Sequence, residues 1–236
     1  MTRRAADAQA PVGTIARELP GGGHVLFTTR ALGNLSMRAG EGHELGLARR
    51  HELAHSLGLR WLCASPQMHG TVVRRIREVS GSAGHPDALG ADGHATALAG
   101  VGTMTLGADC LTVALGGERV VAMVHAGWRG LAAGVLQEGV RAVRELGGEG
   151  EITAVVGPAA GVCCYEVGEE VHAALGGAHR HGRHVDLRAI AHEKLLGAGV
   201  AAVEDVRACT ICDERFFSHR REGARAGRQG GVAWLS

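Results

Sequence analysis

Residues 108–131 read ADCLTVALGGERVVAMVHAGWRGL, and the order of residue types in this stretch decides what kind of fold surrounds it. Residues 111–115 and 120–124 are apolar runs too short and too rich in Val for helices, so they predict two strands, with Gly116 and Gly117 as the tight turn between them. In an antiparallel hairpin the residue entering the first strand and the residue leaving the second lie at the same end. Cys110 and His125 are therefore expected to face one site. After His125 the pattern changes: Gly127 and Gly130 flank Trp128 and Arg129, and a helix is predicted over 130–146. Leu131, Val135, Leu136, Val140, Val143 and Leu146 share one face of it, Glu138, Arg141, Arg144 and Glu145 the other, and two glycines at 147–148 end it.

Upstream, residues 1–20 read as a loose tail closed by Pro20 and three glycines, and residues 21–236 as a single domain without repeat or linker. A strand is expected at 24–30, a helix at 44–57, and a strand at 71–76 just after QMHG (67–70). Residues 80–93 are the most loop-like interior stretch, followed by a turn and strand within 95–106. Downstream, the pattern predicts a strand at 152–156, helices at 169–175 and 186–196, and a final strand at 232–235.

Net charge is +1, with 25 Lys and Arg against 24 Asp and Glu, which excludes the basic excess that non-specific nucleic-acid or membrane-surface binding requires. Aromatic residues make up only 3%, too few for base-stacking platforms. No apolar run reaches the roughly eighteen residues of a membrane helix, and residues 1–20 lack a signal-type apolar segment, so a cytoplasmic protein is expected. Its six cysteines would then be thiols or metal ligands.

Two imidazoles and one thiol, His69, Cys110 and His125, lie beside predicted strand ends in turns containing Gly or Asp. Three protein ligands with an open fourth position suit a catalytic zinc. Bound there, the ion would keep a net charge of +1 and acidify water or polarise a leaving group. With 14 histidines in the chain, spacing alone favours the plainer readings, a loop histidine bonded to backbone or water for His69 and His125 and a buried small thiol for Cys110. The CTIC at 209–212 has redox or zinc half-site spacing but lacks a partner pair and reads as ordinary packing; the adjacent Cys163 and Cys164 read as lining the site or as packing, and the His179, His181 and His184 tract as exposed loop residues.

The segments QMHG (67–70), ADC (108–110), HAGWRG (125–130), GPAAGVCCYEVG (157–168) and FFSHRREG with GRQ (216–229) together resemble the YfiH-type family, also described as multicopper polyphenol oxidase or laccase-like and as purine nucleoside phosphorylase. The resemblance implies an α/β (α+β) fold: one layered domain of mixed β-sheets flanked by helices, similar to the catalytic domain of the cytotoxic necrotizing factor toxins. It implies a zinc ion on His69, Cys110 and His125. It further implies phosphorolysis of purine nucleosides (adenosine, inosine, guanosine or methylthioadenosine) with adenosine deamination as a side activity. The partners would be a purine nucleoside and phosphate.

Phosphorolysis needs a phosphate dianion beside the anomeric carbon, which arginine forks can grip. Arg129 is the first candidate, four residues after His125 at a helix start whose amides favour anions. Arg220, Arg228 and Arg30 follow. Asp109 can orient a ligand, carry a proton, or simply form a turn. Three departures from the family pattern stand out: Leu111 where Pro is usual, SerHisArg at 218–220 where SerTyrArg is usual, and a short segment between Arg30 and the first helix. Other readings are a copper-dependent phenol oxidase, a Cys110–His125 hydrolase or amidase editing peptidoglycan precursors, and a metal-dependent binding module.

Overall fold

The central hairpin forms with its turn displaced by two residues. In the computed structural model, which describes residues 13–38, 42–79 and 89–236, Gly116 and Gly117 belong to the first strand, and Glu118 and Arg119 make the turn. Arg119 takes the positive φ of 56° that a tight hairpin turn demands. A Cβ on Gly117 would sit 3.0 Å from Val143, and one on Gly116 2.7 Å from Leu19, so both glycines serve close packing within the sheet rather than the reversal.

Two sheets carry the chain. The first has the order β1 (Thr14–Leu19), β2 (Gly23–Thr28), β13 (Gln229–Leu235), β6 (Val101–Gly107) and β3 (Trp61–Cys63). The second runs β12 (Val200–Asp205), β9 (Ile152–Val156), β7 (Leu111–Gly117), β8 (Val120–Ala126), β5 (Gly93–Thr96) and β4 (Val73–Ile76). Both are mixed: β7 and β8 are antiparallel, whereas β12 with β9 and β4 with β5 are parallel. A short hairpin, β10 (Arg180–His181) and β11 (His184–Val185), occupies the predicted His-rich loop. Thr14–Leu19, within the expected tail, is an edge strand paired along its length with β2, while residues 1–12 and most of the loop expected at 80–93 (80–88) lie outside the described residues.

Helices cover both outer faces. α1 (His43–Ser56) packs its Leu53 with Leu26, Leu62, Met104 and Val232 of the first sheet. α2 (Trp128–Ala133), α3 (Val135–Glu145), α4 (Glu169–Ala174) and α5 (Leu187–Gly197) cover the second. A four-residue α6 (His219–Glu222) precedes β13. The continuous helix expected over 130–146 is broken at Gly134, which takes φ +97° and ends α2 after six residues.

Strand parity explains why β7 and β8 are apolar throughout. Val113, Leu115, Val120, Ala122 and Val124 face the helices, whereas Ala114, Val121 and Met123 face the first sheet and meet Val25, Phe27 and Ala233. Buried on both sides, the pair is the rigid centre of a helix–sheet–sheet–helix stack. Parity also sends Cys110 and His125 toward the space between the sheets. Among the described residues no helix is long and apolar enough to cross a membrane.

Candidate metal centre and its cavity

The hairpin register pairs Leu111 with Ala126 and Thr112 with His125, bringing Cys110 and His125 to one end as the sequence predicts. His69 arrives from the loop before β4, where its φ of 57° turns the chain sharply. Its Nε2 is 3.9 Å from the Cys110 sulfur, and its ring stands edge-on to His125 with centroids 4.8 Å apart. All three donor atoms lie within 4.8 Å of one another. A tetrahedral ion with Zn–S of about 2.3 Å and Zn–N of about 2.0 Å sets these donors about 3.3–3.5 Å apart, so a small inward shift of the set fits a single ion.

What holds the two histidines is a buried carboxylate that the sequence did not single out. Asp92, 1% exposed, accepts the Nδ1 proton of His125 at 2.9 Å. The same group accepts the backbone N–H of Met68 at 3.2 Å, His69 at 2.9 Å and Gly70 at 2.8 Å. One carboxylate thus fixes the tautomer of one imidazole, leaving Nε2 as its donor, and clasps the loop bearing the other. Burial works against its ionisation, but the hydrogen bonds from His125, Gly70 and Met68 outweigh that and hold Asp92 below the usual carboxylate range. The only sequence signal was an Asp-Gly pair immediately before a strand.

Other motif residues have equally local reasons. Gln67 uses its amide to exchange two 2.8 Å hydrogen bonds with the backbone of Leu106, anchoring QMHG to the end of β6. Gly127 admits no side chain: a Cβ there would lie 2.7 Å from the His69 ring and 3.2 Å from the Cys110 sulfur. At Gly130 a Cβ would meet the Gly70 carbonyl at 2.8 Å.

The electrostatics of the metal-free side chains favour an ion pair. Burial pushes the Cys110 thiol up, yet hydrogen bonds and charge from His125 and His69 overcome it and bring it down to about 6. Burial likewise disfavours the His125 cation, but Asp92 and Cys110 raise it to about 9. A thiolate beside an imidazolium is a site prepared to exchange a proton for a metal ion.

A cavity of about 450 Å³ opens above the three donors, lined by Ser65, Gln67, Leu106 and His219 and by the arginines Arg38, Arg50 and Arg228. Of the four arginines expected from sequence, only Arg228 lines it. Arg129 and Arg220 gather instead around Tyr165: the Arg220 guanidinium lies 5.1 Å from its ring, and both cations act on its phenol. Burial first, and then the Cys110 charge, push that phenol up to about 12. Arg129, placed in the first turn of the six-residue α2, stacks 4.1 Å over Trp128 and is exposed. Arg30 pairs with Glu222 and lines a separate cavity. Asp109 is buried with φ 91°, its carboxylate accepting from the Thr210 hydroxyl and the Arg220 backbone N–H, each at 2.7 Å. It pins two loops beside Cys110.

A second apolar cavity of about 200 Å³ between α1 and β3 contains none of the three donors. The cysteines read from sequence as ordinary packing come together as well: Cys163, Cys164, Cys209 and Cys212 place their sulfurs within 4.8 Å of one another.

Residues 23–236 match the family described as multi-copper polyphenol oxidoreductase laccase. The chain belongs to that family. Among relatives, it is 39% identical to a protein of Xylella fastidiosa named purine nucleoside phosphorylase, over 98% of this chain and 95% of that one. It is 33% identical to a Corynebacterium glutamicum protein of the same name, over 89% and 93%. Two solved structures share the fold: Neisseria meningitidis protein NMB0706, with TM-score 0.80, 29% identity and coverage of 95% and 99%, and the Bacillus licheniformis protein YfiH, with TM-score 0.79, 23% identity and coverage of 91% and 93%. The sequence-based assignment to the YfiH-type family and its mixed layered fold therefore stands, and the family's polyphenol oxidoreductase label sits beside relatives named for phosphorolysis.

Proposed function

We propose that this family member is a purine nucleoside phosphorylase whose reaction centre is a zinc ion held by His69, Cys110 and His125. The observation that carries the reading is one cavity of nucleoside size that joins those three donors to a wall of arginines. The two relatives named purine nucleoside phosphorylase, covering most of this chain, support the same reaction.

The chemistry divides among the chain's own groups. Arg228, with Arg38 and Arg50 on the same wall, offers cations to the phosphate dianion and keeps it beside the sugar. The Arg228 guanidinium is braced by the carbonyls of Ala226 and Gly227, at 2.6 and 2.9 Å, so its position is set before phosphate arrives. Phosphate oxygen forms the new bond to the anomeric carbon as the glycosidic bond breaks, and the bond electrons leave with the purine. His219, where the family usually carries tyrosine, lines the cavity and can contact the base. Asp109 positions the Cys110 turn rather than touching substrate. Arg129 and Arg220 form a second cationic rim around Tyr165. Held by His69, Cys110 and His125, zinc would supply Lewis acidity for developing negative charge and, with adenosine, an acidified water for a deaminating side reaction.

The donor set favours zinc over copper. A laccase-type oxidase needs several copper centres rich in histidine, and among the described residues the second ligand group is all cysteine. A Cys110–His125 hydrolase is the reading that the thiolate–imidazolium pair would otherwise favour. The test is to assay adenosine turnover by the zinc-loaded protein with and without phosphate, then after chelation. Adenine and ribose 1-phosphate appearing only with phosphate and only with metal is expected. Arg228→Ala should raise KM for phosphate about 10–100-fold, the equivalent of one lost charge-assisted contact, and more than Arg129→Ala does. No turnover of any purine nucleoside at full metal occupancy would overturn the reading, and hydrolysis surviving chelation would transfer it to the hydrolase.

A further inference from the structure

The Cys163–Cys164 turn and the Cys209–Cys212 turn belong to loops that leave neighbouring parallel strands, β9 and β12. Backbone bonds already dock the loops: Ala159 and Cys209 form a parallel bridge, the Ala159 N–H donates to Ala208 at 3.2 Å, and the Thr210 N–H donates to Ala159 at 3.0 Å. Beyond that docking point the four thiols converge. The Cys212 sulfur is 2.8 Å from that of Cys164 and 3.4 Å from that of Cys163. We propose that Cys163, Cys164, Cys209 and Cys212 form a second metal site, a closed four-thiolate centre for a structural zinc ion, separate from the His69, Cys110 and His125 centre.

Three features support a metal over simple packing. First, the four sulfurs gather on the scale of one ion: their separations, from 2.8 Å up to no more than 4.8 Å, straddle the edge of about 3.8 Å that a tetrahedral ion with Zn–S of about 2.3 Å imposes. A larger cluster would need its thiolates set around more than one ion. Second, the group is not an apolar pocket: Cys163 and Cys212 are exposed, where four neutral thiols gain nothing by gathering. Third, the backbone is shaped to stabilise one of the sulfurs, that of Cys209, as an anion. The Gly161 N–H donates to the Cys209 sulfur at 3.2 Å, and the amides of Cys212 and Ile211 donate to it as well. Gly161 also leaves room for the cluster, since a Cβ there would sit 3.2–3.3 Å from Cys209 and Cys163. Adjacent cysteines can serve one ion here because 162–164 is a turn, with Cys164 and Tyr165 both donating to the Gly161 carbonyl at 3.0 Å, so successive side chains fan toward one side. On binding, each thiol releases its proton to solvent and no redox partner is required.

The site would lock the two loops that flank the first centre. Thr210, between the CTIC cysteines, holds Asp109 next to Cys110, and Tyr165 follows directly on Cys164.

Metal analysis of protein produced with zinc and desalted is expected to give about two zinc ions per chain, one per ligand group. Cys163→Ser, at an exposed turn position, and Cys110→Ala should each retain about one. In the wild type, Cys163 and Cys212 should resist iodoacetamide despite their exposure and react once a chelator removes metal. A wild type carrying a single zinc that Cys110→Ala abolishes would overturn the proposal. So would immediate alkylation of both exposed cysteines, or a disulfide among the four in a non-reducing digest.

Discussion

Replacing Asp92 with Asn tests whether one buried carboxylate organises the candidate metal centre. The substitution keeps shape and volume but exchanges an acceptor oxygen for an NH2 group. In the native site one oxygen serves the His125 Nδ1 and the His69 N–H, and the other serves Met68 and Gly70. Asn can satisfy only one of these pairs. With its oxygen toward Met68 and Gly70, its NH2 faces His125, whose Nδ1 must then accept, and the ring proton moves to Nε2, the nitrogen needed for metal. Loss of such a partner weakens metal binding about 10–100-fold, or about 1.4–2.7 kcal/mol. Two charge-assisted hydrogen bonds at about 1.5–3 kcal/mol each also disappear, which bounds the loss of stability of the metal-free fold at about 3–6 kcal/mol, since neighbouring contacts do not simply add. Zinc affinity should be measured by competition with a chromophoric chelator, alongside urea unfolding of the metal-free protein. Wild-type zinc affinity in a folded Asp92→Asn variant would refute the claim that Asp92 sets the His125 tautomer.

Two further substitutions separate site from scaffold. Gly127→Ala should leave the fold intact but displace the His69 ring and the Cys110 sulfur, which its Cβ would approach to 2.7 and 3.2 Å; unchanged zinc occupancy by metal analysis would count against the close approach. Arg188→Ala should destabilise by about 3–5 kcal/mol in denaturant unfolding, because it removes a mostly buried guanidinium that bonds Asp205 and the carbonyls of Gly157, Ala159 and Ala208 and leaves the Asp205 carboxylate and those carbonyls without it. A change below 1 kcal/mol would show that water replaces the guanidinium without loss.

The helices read from sequence at 169–175 and 186–196 match α4 and α5 to within a residue at each end. α5 starts beside Asp186, whose side chain caps Arg188 and Ala189 at 3.0 Å as its position ahead of the apolar run suggests. The periodic pattern over 130–146 hid the break at Gly134, because both halves bury the same face against β8 and a left-handed glycine changes direction without changing polarity. Thr14–Leu19 lacks clean alternation because it is an edge strand with one partner, and its burial is mostly partial. The expected fourfold arginine set dispersed for a similar reason: residues adjacent in motifs diverge in space when the local backbone is a helix turn or a loop, as with Arg129 on α2.

By itself the sequence determined the mixture of strands and helices, the hairpin, and the convergence of Cys110 and His125, since register in a buried antiparallel pair follows from short-range pattern and turn length, whereas the layering of the sheets was what the family resemblance implied. His69 joined them through resemblance to a family to which the chain does belong. Tertiary structure alone decided which carboxylate stands behind the histidines, which arginines share the cavity over the three candidate donors, and that two cysteine pairs some 45 residues apart, at 163–164 and 209–212, meet at one point. Those relations join segments remote in the chain through the docking of one strand end on another, and no local periodicity records them.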